Sequence, residues 1–124
     1  MLYAILCYGD QDKVRGISAA QEEALMQKLG KVHARLIDDK KLGPHFRLMT
    51  TGAAKTLRAE DGSVYDGPFA ETKEALLGLY VVECESLDDA LRIAHDLEVP
   101  RIEAGVGGQL EVRPLLAYFE GTAL

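Results

Sequence analysis

Long hydrophobic runs are missing from this chain. No window approaches the roughly eighteen uninterrupted apolar residues that a transmembrane helix needs. Cysteine is scarce: Cys7 and Cys84 each sit inside an apolar run, which fits buried reduced thiols better than a disulfide framework. Clustered positive charge is also scarce, with a net charge of −6 and no Lys/Arg cluster beyond Lys40-Lys41. A nucleic-acid binder needs a basic face to neutralise phosphates, so no nucleic-acid partner is expected. There is no phosphate-cradling Gly-rich loop, no nucleophile elbow and no zinc motif, so neither a cofactor nor a metal is expected. Gly105-Val106-Gly107-Gly108 lacks the strand-to-helix setting of a dinucleotide fingerprint and reads as a flexible loop. Repeats and low-complexity segments are absent too. The start, Met1-Leu2-Tyr3-Ala4, runs straight into a strand pattern with no basic n-region or cleavage site, so a cytoplasmic protein with no membrane partner is the expectation.

What is present suits a single domain over 1–124, with 48% apolar residues to fill one core. Leu2 to Tyr8 is a short apolar run of strand length, and Asp10 to Gly16 reads as a loop. Ser18 and Gln21 make a capping box that opens a helix. Its stripe is Leu25, Leu29, Val32 and Leu36, and Lys41 with Gly43-Pro44 is expected to end it. His45 to Gly52 reads as a loop with room for a short strand. Asp61-Gly62 turns a hairpin between Ala54–Ala59 and Ser63–Asp66. Glu71 to Ala75 has the makings of one helical turn. Gly78 to Cys84 is a second apolar strand, and Ser86 caps a second helix that Pro100 should end at the latest. Leu110 to Leu115 alternates as a last strand.

This order is that of an α+β, ferredoxin-like βαββαβ domain with an extra hairpin arm. The strands at Leu2–Tyr8 and Leu79–Val82 show no polar alternation, so both of their faces should be buried. Two helices cover one face of a four-stranded antiparallel sheet. The other face needs a second copy, giving a homodimer, unless the tail or the arm covers it.

The densest local chemistry lies in Asp66-Gly67-Pro68-Phe69-Ala70-Glu71-Thr72-Lys73-Glu74. This run resembles the signature of the DGPF branch of the YCII-related family. Tyr8-Gly9-Asp10, Thr56-Leu57-Arg58, Asp61-Gly62, Gly78-Leu79-Tyr80, Ser86-Leu87-Asp88-Asp89-Ala90 and Glu111-Val112-Arg113-Pro114 stand in the same order as in that branch. The resemblance implies a dimeric α+β barrel. It also implies a choice between enzymes that handle small, often aromatic molecules with a His/Asp pair, and relatives found beside sigma factors. The chain departs from the branch pattern at Pro44-His45-Phe46-Arg47 and over Glu103 to Gly108.

His33 falls between Leu29 and Met26 on the helical wheel, so it should face the sheet. It is a candidate acid-base group, or else a core histidine held by a backbone carbonyl. Asp66 is its candidate partner, or a turn former that bonds its own backbone. Arg58 could pair with Asp66 across the hairpin. Lys73 and Glu71 could hold an anionic substrate or form a solvated face. Phe69 reads as a core plug, an interface anchor or a stacking surface. Tyr3 and Tyr80 could line a pocket or a dimer seam. His45 is lone and loop-placed, and His95 sits at a helix edge. Two functions follow. One is a small-molecule acid-base enzyme of elimination or isomerisation type, with catalytic His33 and Asp66 and substrate contacts from Arg58, Lys73, Phe69, Tyr3 and Tyr80. The other is a non-catalytic module that docks on a protein partner such as a sigma factor.

Overall fold

The structure, a computed structural model, describes residues 1–124. β1 (Leu2–Gly9) leads through a short α1 (Gln11–Gly16) into α2 (Ala19–Asp38). β2 (Leu42–Arg47) follows, then a 3-10 turn over Thr51–Ala53 and the hairpin arm β3 (Lys55–Leu57) and β4 (Val64–Asp66). β5 (Ala75–Glu83), α3 (Leu87–Glu103) and β6 (Gln109–Pro114) complete the chain. The main sheet runs β2-β5-β1-β6, every neighbouring pair antiparallel, and β3-β4 forms a separate two-stranded sheet. This is the βαββαβ order with the arm inserted before the third main strand. No helix is long and apolar enough to cross a membrane.

The helix starts follow from their caps. Ser18 Oγ accepts from Gln21 N at 3.1 Å while Gln21 Oε1 accepts from Ser18 N at 2.8 Å, so two orphan amides are satisfied reciprocally. Leu25, Leu29 and Leu36 are buried along one stripe of α2. Leu29 and Leu36 join Tyr3, Ile5 and Cys7 of β1, Tyr80 and Val82 of β5, and Ala90, Ile93, Ala94 and Leu97 of α3 in one core.

Several boundaries differ from the sequence expectations. Asp10 to Gly16 is mostly helix rather than loop, because the Asp10 side chain caps it by accepting from Asp12 N and Lys13 N. α2 stops at Asp38, and Lys40 adopts a left-handed φ of 58° that turns the chain out of the helix. Gly43-Pro44 therefore lies inside β2, an edge strand where a missing amide costs no ladder bond on the open side. Glu71 and Thr72 are irregular and Lys73 and Glu74 form a bend, not a helical turn, and β5 begins at Ala75. Pro100 does not end α3, which continues to Glu103 with Pro100 in its last turns. The Gly105 to Gly108 segment is closely packed: Val106 is buried, and a Cβ on Gly108 would meet the Tyr8 carbonyl oxygen at 2.0 Å.

Antiparallel register sorts the sheet into rows. On the helix side His45, Tyr80, Ile5 and Val112 form one row, and Arg47, Gly78, Cys7 and Leu110 the next. On the other side the rows are Phe46, Leu79, Leu6, Glu111 and then Val81, Ala4, Arg113. No helix covers that second side. It is apolar across its centre and charged towards its margins: along β6, where Arg113 pairs with Glu111, and at the end of β5, where Glu83 pairs with the N-terminus.

Candidate functional site

A single glycine opens the site. Gly78 stands between Arg47 and Cys7 in its row and contributes no side chain, and β2 passes so close that a Cβ there would meet the Phe46 carbonyl oxygen at 2.4 Å. A cleft of ≈ 470 Å³ lies beside it, between α1, the start of α2, the end of β2 and β5. Val14, Ile17, Leu48, Met49 and Leu77 give it an apolar wall. Its polar lining includes Tyr80, Arg101, Arg47 and Cys7, with Arg15 and Glu22 nearer the surface. An apolar hollow with a few convergent polar groups is the usual form of a small-molecule site.

Behind Tyr80 lies a small titratable cluster. His33 Nε2 and the Tyr80 hydroxyl are 3.0 Å apart. The His33 ring meets the His45 ring edge-on with centroids 4.9 Å apart, and His45 stacks beside Tyr80 at 5.7 Å. His45 Nδ1 lies 2.9 Å from the Gly43 carbonyl oxygen, which fixes that nitrogen as the donor. Burial holds His33 below its ordinary 6.5, and the charges of His45 and Arg101 push the same way. His33 is thus neutral at pH 7 and able to accept a proton. Burial raises the Tyr80 phenol, while the guanidinium of Arg101 opposes that rise by charge and hydrogen bonding. Cys7 is pushed up to about 11 by burial, against the lowering effect of Arg101, and stays a thiol.

Arg101 is itself buried, as is Glu98 one turn earlier on α3. Their ion-pair contact is long, Nε to Oε1 at 3.7 Å, and the other Glu98 oxygen accepts from Gly108 N at 2.7 Å. Burial raises the Glu98 carboxyl, while the Gly108 amide and Arg101 oppose it. No group of three His, Cys, Asp or Glu side chains converges in a way that could hold a metal ion.

The residues singled out by sequence separate clearly. His33 faces the sheet as its place on the helical wheel requires, and Tyr80 lies in the cleft wall. Tyr3 belongs to the core behind the cleft. Asp66 is not brought to His33: it ends β4, lies opposite Lys55 and pairs with that lysine in solvent. Arg58 therefore does not pair with Asp66. It sits over the Tyr65 ring, 5.6 Å from its centroid. Lys73 is exposed, and Phe69 is 86% exposed, so it plugs no core within one chain. Gly67 adopts φ 98°, its N–H bonds Ala54 O at 2.8 Å, and its carbonyl accepts from Thr56 Oγ1 at 2.8 Å. The signature run thus closes the arm at its base.

Two members of the cluster were not expected. His45 is in β2 opposite Tyr80, not in a loop. Arg101 lies beyond the proline that was expected to stop the helix. Its signal is still readable: Ala90, Ile93, Ala94 and Leu97 repeat at helical spacing, and Arg101 is the next residue of that stripe.

Residues 1–116 match the YCII-related domain. The chain belongs to the YCII-related family. An uncharacterized protein of Rhizobium meliloti (strain 1021) is 46% identical over 123 residues, covering 98% of this chain and 97% of that one. Among solved structures, the chain is similar to 5-chloro-2-hydroxyhydroquinone dehydrochlorinase from Burkholderia phenoliruptrix AC1100 in complex with 2,5-dihydroxybenzoquinone. That likeness has a TM-score of 0.48 at 18% identity and covers 93% of each chain.

Proposed function

We propose that this YCII-related protein is a small-molecule enzyme that moves a proton, in an elimination or an isomerisation of a compact, aromatic-type substrate. The observation that carries the reading is the His33–Tyr80 contact of 3.0 Å at the wall of the cleft. Tyr80 is the group that touches a ligand, and His33 stands behind it. As the Tyr80 oxygen takes a proton from the substrate, its own proton passes to His33 Nε2. In an elimination the electron pair of the broken C–H bond expels the leaving group. In an isomerisation the proton returns at another atom. A neutral imidazole is the form this step requires, and burial keeps His33 neutral.

Hydrogen–deuterium exchange tests the step without knowing the substrate. The protein is incubated in D2O with a panel of small enolisable cyclic ketones and hydroxylated aromatics, and loss of C–H signal is followed by proton NMR. Exchange above the buffer rate is expected for at least one compound, falling about 10²-fold or more in Tyr80→Phe and His33→Gln. Exchange at the wild-type rate in both variants removes the assignment.

The protein is further proposed to act as a homodimer whose apolar sheet faces pack together. The uncovered rows of Phe46, Leu79, Leu6 and Val81 support this. The second reading, a docking module for a protein such as a sigma factor, is favoured by the arm, where the paired Leu57 and Val64 are exposed, and by the exposed Phe69 just after it.

A further inference from the structure

The cationic side of the cleft goes beyond proton transfer, although it rests on the same cleft and deepens that reading. The chain carries a net charge of −6, yet the cleft wall has Arg15, Arg47 and Arg101 against Glu22 as its one carboxylate. Two of the three guanidinium groups are engaged near the surface: Arg47 donates to Glu22 at 2.9 Å, and Arg15 pairs with Asp12. Arg101 is different. Its side chain is only 9% exposed. A guanidinium presents five N–H donors, and the charged partner of Arg101, Glu98, stands off at 3.7 Å, beyond hydrogen-bond distance. No fully buried side-chain nitrogen or oxygen in the protein lacks a partner, so the remaining Arg101 donors are those that open on the cleft. A desolvated cation with free donors needs an acceptor, since leaving it unmade costs more than an ordinary hydrogen bond is worth.

We infer that the cleft takes a small organic monoanion, an apolar or aromatic body bearing one carboxylate, with the carboxylate on Arg101 and the body against Val14, Ile17, Leu48 and Met49. A planar carboxylate matches the guanidinium fork in two parallel hydrogen bonds, which an amide or an amine cannot do. The volume of ≈ 470 Å³ lies within the ordinary range for ligand pockets and admits a single ring with a short substituent. The anion also lies in the same cleft as Tyr80, because Arg101 and Tyr80 both line it. The acid group of the ligand thus sets which of its atoms faces the proton-moving pair.

The test is equilibrium binding, so it stands or falls separately from any turnover. Benzoate, phenylacetate, cinnamate and salicylate are titrated into the full chain, with benzamide and benzylamine as neutral and cationic matches, read by thermal shift and calorimetry. At least one carboxylate is expected to bind at least about tenfold more tightly than benzamide, and Arg101→Gln to remove that difference. The Arg101 Nε–Hε signal of the wild-type protein is followed in parallel, so the result does not depend on the variant folding. It is expected to move with the carboxylate and not with benzamide. No carboxylate binding by 10 mM, equal binding of acid and amide, or an unmoved Arg101 signal overturns the inference. Carboxylate binding without deuterium exchange leaves it standing and removes the catalytic reading alone.

Discussion

His33 makes the protein's stability depend on pH in a direction fixed by its surroundings. Its folded pKa lies below 6.5 because burial, His45 and Arg101 all disfavour imidazolium. The unfolded chain therefore binds more protons between that lowered value and about 6.5, and stability rises with pH through that window. This residue's contribution is complete above about 6.5 and is lost as the pH falls toward the folded value. Urea unfolding at pH 7.5, 6.5 and 5.5 is expected to give a smaller acid loss in His33→Gln than in the wild type. Equal losses in both proteins would mean that the imidazole is as free in the fold as out of it. His33 was legible in the sequence because helical periodicity places a side chain on a face without further information. Its partner was not. Asp66 stands in the most distinctive run of the chain, but a turn signature reports backbone geometry. Only the register of β2 on β5 brings His45 beside Tyr80, and register arises from tertiary contacts.

The same contrast holds for whole elements. Capping residues marked both long helices correctly, since a cap acts over three or four residues and needs no tertiary partner. Ser86 Oγ accepts from Asp89 N at 3.1 Å, and Asp89 in turn accepts from Glu85 N at 3.1 Å. Ser86→Ala is expected to cost about 1 kcal/mol in urea unfolding, because α3 supplies half of the helical layer and one orphan amide would lose its acceptor. A loss below a few tenths of that figure would mean that water replaces the serine freely. Helix ends were harder to read than starts. Pro100 forfeits one hydrogen bond, but Leu97, Pro100 and Arg101 are all buried, and this packing carries the helix on to Glu103. Burial outweighed the breaker, and that extension brings Arg101 to the cleft. The short α1 escaped notice for the opposite reason: it buries nothing and depends on the Asp10 cap.

At the scale of the molecule, the sheet has one side closed by helices and one side open. The open rows put Phe46, Leu79 and Leu6 side by side, with Val81 and Ala4 in the next row, on strands whose other face is core. This lack of alternation was legible from the apolar runs alone, because a strand that faces water on one side needs polar residues at every second position. A second copy meeting the face would apply each residue of the patch twice, since a two-fold interface uses the same surface on both chains. Sedimentation of the wild-type chain at micromolar concentration is expected to give the mass of two chains. Leu79→Lys removes one buried leucine per copy, worth about 2 kcal/mol each, before any cost of the two like charges. The pair should thus weaken by at least about 4 kcal/mol, close to a thousandfold in Kd, and the variant should sediment as one chain at the same concentration. Circular dichroism of that variant should keep its helical signal, because the core between helices and sheet does not involve Leu79. A wild-type protein that sediments as one chain would leave this face in water, and the exposed Leu57 and Val64 of the arm, with Phe69 just after it, would then be the stronger candidates for a contact surface.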